Sequence, residues 1–339
     1  MGLNKAELDA RVNDLLDEMA TKTNRDVMAD IVNTSLRMAT DNASRLDLKI
    51  TATALREMRA AFRAFAPYRD RKKVTMFGSA RTQPDDPLYA QAREMARELS
   101  ANDWMVVTGA GPGIMAAGLE GAGLENAFGV NIRLPFEQGA NAFIAKDPKL
   151  VEMKYFFTRK LMLIKESDGF VCLPGGFGTL DEAFELLTLL QTGKAEPAPI
   201  VMLDMLGGTF WHAWEQFVTG NVAAGGFVTP GDEAFWLRTD SVAAGVAEIL
   251  GFYRNYQSLR FVGKNLVLRM KTLPSENQIV VLNDEFADML VEGDIRVVEP
   301  SRSEVTDNDA LDLKRLAFRF NLMSYHRLRE FINALNALG

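Results

Sequence analysis

The spacing of apolar residues changes character twice along the chain. Up to about Arg71 the apolar positions fall at helical intervals, most clearly at Leu55, Met58, Phe62 and Phe65, which share one helical face. No strand-like run interrupts them, so residues 1–71 are expected to form a helical arm that serves packing or oligomeric contacts.

From Val74 the texture becomes short apolar runs alternating with amphipathic stretches, the pattern of buried parallel strands joined by crossover helices. Strands are expected at residues 74–77, 105–108, 128–131, 170–173 and 200–203, and helices near 89–100, 114–124, 155–166 and 180–192. The fold class that follows is α/β, with a Rossmann-like, doubly wound parallel sheet over residues 72–254. The remaining residues, 255–339, are expected to form a small α+β appendage, with strands at 265–270, 279–282 and 295–298. Apolar positions at Leu313, Leu316, Phe320, Leu328, Ile332 and Leu335 predict one long helix over 312–335.

Composition narrows the chemistry. With 339 residues the chain can bury a sizeable core, and 45 acidic residues against 38 Lys plus Arg give a formal charge of −7. That balance argues against a nucleic-acid surface and leaves a small anion in a local basic pocket as the partner. The single cysteine, Cys172, lies in an apolar run, so neither a disulfide framework nor a zinc cluster is expected, and a reducing cytoplasm fits. Residues 1–10 are polar where a signal peptide needs an apolar core, and no apolar stretch is long enough to span a bilayer. A cytoplasmic protein without a membrane partner is the expectation. The two histidines, His212 and His326, are far apart, and neither a metal site nor a cofactor is expected.

Three expected strands end in turns of glycine or other small residues. These are Gly78-Ser79-Ala80, Gly109-Ala110-Gly111-Pro112-Gly113, and Pro174-Gly175-Gly176-Phe177-Gly178-Thr179. Strands of one parallel sheet deliver such turns to one edge. Glycines let backbone N–H groups approach a ligand, and the helix that follows adds the positive end of its dipole, so phosphate is favoured. Taken alone, the second turn is as consistent with a tight turn as with a nucleotide site. A dinucleotide site would also want an acidic ribose partner after the next strand, where Asn131 and Arg133 stand instead. Thr179 and Glu182 have the spacing of a capping box, which would satisfy helix-end N–H groups and nothing more. Arg159 and Lys160 taken alone read as a solvated helix face.

The nine residues from Pro174 to Glu182 spell P-G-G-F-G-T-L-D-E and resemble the P-G-G-x-G-T-x-x-E signature of the Lonely Guy family of nucleotide phosphoribohydrolases. The family's upstream Arg-Lys pair has its counterpart in Arg159 and Lys160. Gly78-Ser79-Ala80 and residues 109–115 are similar to its other nucleotide-contacting turns, and N-I-R-L-P-F-E-Q at 131–138 is similar to its longer bacterial members. The resemblance covers residues 72–253. It implies hydrolysis of the bond between base and ribose 5-phosphate, in cytokinin nucleotides in plants and in purine monophosphates such as AMP in many bacterial members. By the same resemblance Arg159 and Glu182 would be the catalytic pair. Gly78, Ser79, Gly109, Gly111, Gly113, Met115, Lys160, Pro174, Gly175, Gly176, Gly178 and Thr179 would contact the substrate. A homodimer or larger homo-oligomer, with the active site near the subunit interface, is implied too. The family has also been labelled lysine decarboxylase, but no Schiff-base lysine with a pyridinium partner stands out in this sequence.

Loss of a purine from ribose builds positive charge on the sugar, so a carboxylate beside the anomeric carbon would stabilise the transition state or deprotonate water. Glu182 is expected on the first turn of the helix begun by the phosphate loop, where the dipole favours its ionised form. Arg159 has three open roles: orienting that carboxylate, contacting the ribose hydroxyls, or binding phosphate. A nucleotide-binding regulator without turnover and a nicotinamide dehydrogenase are the competing functions.

Overall fold

The computed structural model describes residues 4–20, 23–134 and 139–338. Residues 135–138, the end of the segment similar to the longer bacterial members, lie outside the described residues, as do residues 1–3 of the polar N-terminus. Contacts divide the chain into a unit ending at Arg59 and a unit beginning at Ala60.

The first unit is helical, as its periodicity predicts, with α1 (Lys5–Glu18), α2 (Arg25–Thr40) and most of α3 (Arg45–Phe65). Asn4 and Glu7 close a capping box at the start of α1, satisfying two helix-end N–H groups reciprocally. Arg25 and Arg37 of α2 reach Asp17 and Asp9 of α1, at 2.6 Å and 3.3 Å.

The second unit is built on seven parallel strands, β1 (Lys73–Phe77), β2 (Met105–Thr108), β3 (Ala127–Ile132), β4 (Leu150–Met153), β5 (Gly169–Cys172), β6 (Ile200–Leu203) and β7 (Trp236–Thr239). Their order across the sheet is β4-β3-β2-β1-β5-β6-β7. The connecting helices are α4 (Pro87–Ala101), α5 (Ile114–Asn126), α6 (Phe156–Lys165), α7 (Phe177–Gln191), α8 (Phe210–Phe217) and α9 (Val242–Phe252). The five expected strands are the five inner ones, buried along their whole length, which is why each reads as an unbroken apolar run. The edge strands β4 and β7 were missed. Glu152 and Arg238 are exposed within them, and four residues with one polar face give too little pattern to register.

A four-stranded antiparallel sheet follows, ordered β10-β11-β9-β8, from β8 (Tyr256–Val262), β9 (Asn265–Met270), β10 (Leu290–Val297) and β11 (Lys314–Phe320). With it come α10 (Glu276–Glu285), α11 (Arg302–Asp307) and α12 (Tyr325–Leu338). Leu268, Leu316 and Phe318 pack with Phe286, Phe331 and Ile332 in one core. Two expectations are corrected here. Residues 279–282 are helical, because Ser275 and Gln278 form a capping box that starts α10, and Val280 and Val281 point to solvent while Leu282 is buried. Residues 312–335 are a strand and a helix. Leu316, Phe318 and Phe320 alternate onto the buried face of β11, a turn at Asn321–Ser324 reverses the chain, and α12 carries the rest.

On β9 and β11, Arg269 and Arg315 are register partners one residue out of phase with that core. Two cations side by side repel, and Glu304 resolves the conflict by accepting from both, at 2.7 Å and 3.1 Å, with all three side chains buried. Burial alone would raise the Glu304 carboxyl. Hydrogen bonds from the Ser301 backbone, Arg269, the Ser301 hydroxyl and Arg315 overcome it and hold the group at about 2.

Candidate active site

From β1 the chain moves outward through β2 and β3 to β4, then returns to place β5 on the other side of β1. The loops after β1 and β5 therefore leave the sheet at a topological switch point, where open α/β sheets form their ligand crevice. A cleft of about 800 Å³ lies there, and its lining includes Gly78, Ser79, Gly109, Gly111, Met115, Arg159, Gly175, Gly176, Gly178, Thr179 and Glu182. That volume is ample for a nucleotide-sized molecule.

Ser79 knits the three loops together. Its N–H donates to Pro174 O (3.1 Å), and its carbonyl accepts from the N–H of Ile114 (3.0 Å), the first residue of α5. Gly113 makes this contact achievable. Its φ is +67°, and a β-carbon there would stand 2.3 Å from Ser79 O. Gly113 and Pro174 thus lock the loops without lining the cleft. Ala110, between the two cleft glycines of the second loop, holds a left-handed φ of 55°. Its N–H is taken by the Thr108 hydroxyl (3.1 Å) and its carbonyl by the Asn141 N–H (2.8 Å), bonds that offset the strain.

The third loop runs straight into α7, whose N-cap is Gly176 with no side-chain capping bond. The capping-box alternative for Thr179 and Glu182 is therefore wrong. Thr179 is the third residue inside the helix, buried, with its Oγ1 only 2.2 Å from where a β-carbon on Gly175 would sit. Positions Gly176 and Gly178 face open space, so the first turn of α7, with its unpaired N–H groups, is accessible from the cleft.

Glu182 is consequently on the second turn of α7, not the first. The dipole weakens beyond the first turn, and burial decides the charge state. It pushes the Glu182 carboxyl up to about 7, opposed by the charges of Arg159 and Lys160 and reinforced by Asp181 and Glu185. Below it on β5, burial drives the Cys172 thiol upward, with the Glu182 charge adding to the effect. Arg159 comes from α6. Its Nε donates to Val130 O of β3 (3.0 Å), which lays the guanidinium across the floor beneath Gly109.

Lys160 departs from expectation. Its ammonium is held by Asp181 (2.5 Å) and Glu185 (2.6 Å), and it lines a neighbouring hollow of about 840 Å³ along with Phe157, Leu161 and Tyr253. Burial disfavours the Lys160 charge, but the two carboxylates outweigh it and raise the ammonium above its ordinary value. The cleft residues not singled out as contacts from sequence include Arg81, Asn131, Phe156 and Phe177. Two had a signal available, since Arg81 directly follows the first loop and Phe177 fills the variable position of the third.

Residues 112–249 match a family model described as possible lysine decarboxylase. A cytokinin riboside 5′-monophosphate phosphoribohydrolase of Mycobacterium tuberculosis is 30% identical over 129 residues, a stretch that covers 36% of this chain and 67% of that protein. The chain belongs to the Lonely Guy family. A bifunctional cytokinin biosynthesis protein of Fusarium pseudograminearum is 29% identical over 196 residues, or 52% of this chain. A cytokinin riboside 5′-monophosphate phosphoribohydrolase of Arabidopsis thaliana is 36% identical over 72 residues, or 21% of this chain. The chain spans only 39% and 32% of the lengths of these last two relatives. The matched region of this Lonely Guy protein begins at the end of the second loop and takes in the third loop, α6 and α7, while the antiparallel sheet lies beyond it. Among the described residues no helix is long and apolar enough to cross a membrane.

Proposed function

We propose that the chain hydrolyses the N-glycosidic bond of purine nucleoside 5′-monophosphates such as AMP, giving free base and ribose 5-phosphate. The observation that carries this reading is the pairing of an N-terminal helix turn open to phosphate with a carboxylate one turn further along the same helix, Glu182, whose charge interacts with Arg159. The relatives named as phosphoribohydrolases support the reaction class, and cytokinin riboside 5′-monophosphates are the alternative substrates their names carry.

With the 5′-phosphate on the loop at 175–178, the sugar is placed over Gly109 and Arg159. As the bond from C1′ to the base nitrogen lengthens, positive charge develops on the ribose and the ionised Glu182 stabilises it. Glu182 then takes a proton from the water whose oxygen bonds to C1′, and that same proton passes on to the ring nitrogen of the departing base, which returns Glu182 to its ionised form. The Arg159 charge opposes the effect of burial on this carboxyl and favours its ionised form.

A decarboxylase relying on a Schiff-base lysine gains no support, because no lysine is among the described residues lining the cleft. The test is a chromatographic assay with AMP, GMP, IMP and CMP without added metal. Release of base and ribose 5-phosphate from the purine nucleotides is expected. Binding without release would leave a nucleotide-sensing regulator instead.

A further inference from the structure

Asn131 sits near the C-terminal end of β3, lines the cleft and is only 4% exposed, yet its side-chain Nδ2 meets no acceptor. Its backbone belongs to the sheet, in register with Glu152. A buried donor left without an acceptor is costly and uncommon in a native fold, and a ligand that brings the acceptor explains its retention.

The position of Asn131 along the cleft identifies which part of the ligand that is. Strands β5, β1, β2 and β3 are consecutive neighbours, and three strand spacings put the end of β3 roughly 14 Å along the sheet from the end of β5. Arg159 occupies the interval, bonded to Val130 O and lying against Gly109. A phosphate on the loop after β5 and a sugar over Arg159 leave the base as the moiety that reaches Asn131. A carboxamide offers a donor beside an acceptor, the complement of adenine along its amino and ring-nitrogen edge.

We propose that Asn131 holds the leaving base, its Nδ2 donating to a ring acceptor of the purine and its Oδ1 accepting from a neighbouring amino group; this rests on the nucleotide reading of the cleft. Asn131 is thereby a specificity-determining residue, and it engages the base but not the sugar phosphate.

The experiment is calorimetric titration of AMP and of ribose 5-phosphate into Glu182→Gln protein, with and without Asn131→Leu, together with thermal unfolding of both. The leucine variant should bind AMP about 10- to 100-fold more weakly and ribose 5-phosphate equally well, with an unfolding midpoint unchanged or higher because no unpaired donor remains buried. Unchanged AMP affinity, or equal loss for both ligands, overturns the proposal. Should the leucine variant fold poorly, Asn131→Ala is subject to the same two-ligand comparison. AMP that binds but is not cleaved by the wild-type protein sinks the hydrolase reading alone; AMP that does not bind at all sinks both.

Discussion

Gly109 lies so close to Arg159 that a β-carbon on the glycine would fall 1.9 Å from Nη2 of the guanidinium. That Nη2 and Met115 Sδ, at 2.7 Å, both belong to flexible side chains, so a substitution there displaces the arginine and the methionine and leaves the backbone intact. Gly109→Ala is expected to change stability by less than about 1 kcal/mol. Its kcat/KM should fall on the order of 100-fold, because a small misplacement of a positioning group is amplified in the rate. Denaturant melts alongside steady-state kinetics check this, and full activity would remove Arg159 from the mechanism.

Glu182→Gln keeps shape and removes charge. Turnover should fall on the order of 1000-fold while nucleotide affinity persists. The carboxyl is raised from 4.5 to about 7 in the folded protein, so it adds stability only while protonated. That contribution is full below about 4.5 and is lost as pH rises through about 7. The glutamine variant should therefore be more stable than wild type at pH 8, on the order of 1–2 kcal/mol after solvent screening of a half-buried group, and no more stable at pH 4. Equal melting at both pH values would contradict the burial of that charge.

The same shift sets the pH profile. Glu182 acts ionised, so kcat/KM should rise with pH through a midpoint near 7 and then level off. A profile falling through that range would assign Glu182 the acid role instead.

Gly176 has an extended backbone, with φ −87° and ψ −157°, and a β-carbon there meets nothing within 4 Å. Gly176→Val should fold normally and fill the phosphate position, weakening both nucleotide and ribose 5-phosphate by about 100-fold. Calorimetry on the two ligands reads the effect, and unchanged affinity would move the phosphate elsewhere.

In the antiparallel sheet, Glu304→Gln takes from Arg315 its carboxylate partner and leaves Arg269 with Asp309 alone, at 2.6 Å, and should cost about 3 kcal/mol. The wild-type carboxyl is depressed to about 2, so its contribution is present above 4.5 and is lost as pH falls toward 2. Urea melts across that range check it.

The inner strands of the parallel sheet and the turns that follow three of them were legible because full burial writes itself as apolar runs, and close backbone approach as glycine. What escaped depended on partners far away in sequence. Lys160 sits beside Arg159 but pairs with Asp181 and Glu185 across a helix interface, and no local pattern separates those fates. Thr179 and Glu182 carry capping-box spacing, yet the helix starts earlier, at Phe177, because Gly176 serves as the N-cap. Asn131 drew notice from sequence for not being acidic and for opening the segment similar to the longer bacterial members; its unpaired Nδ2 is a property of the packed fold. Residues 312–335 satisfied a helical spacing by coincidence, since Leu316 and Phe320 suit a strand with Phe318 between them equally well.

The most direct measurement is a side-by-side assay of wild type and Glu182→Gln with AMP at pH 8, quantifying adenine and ribose 5-phosphate. Equal molar release of both products by the wild type, with almost none from the variant, is the predicted result. Equal release by both proteins, or AMP left intact by both, would contradict the account.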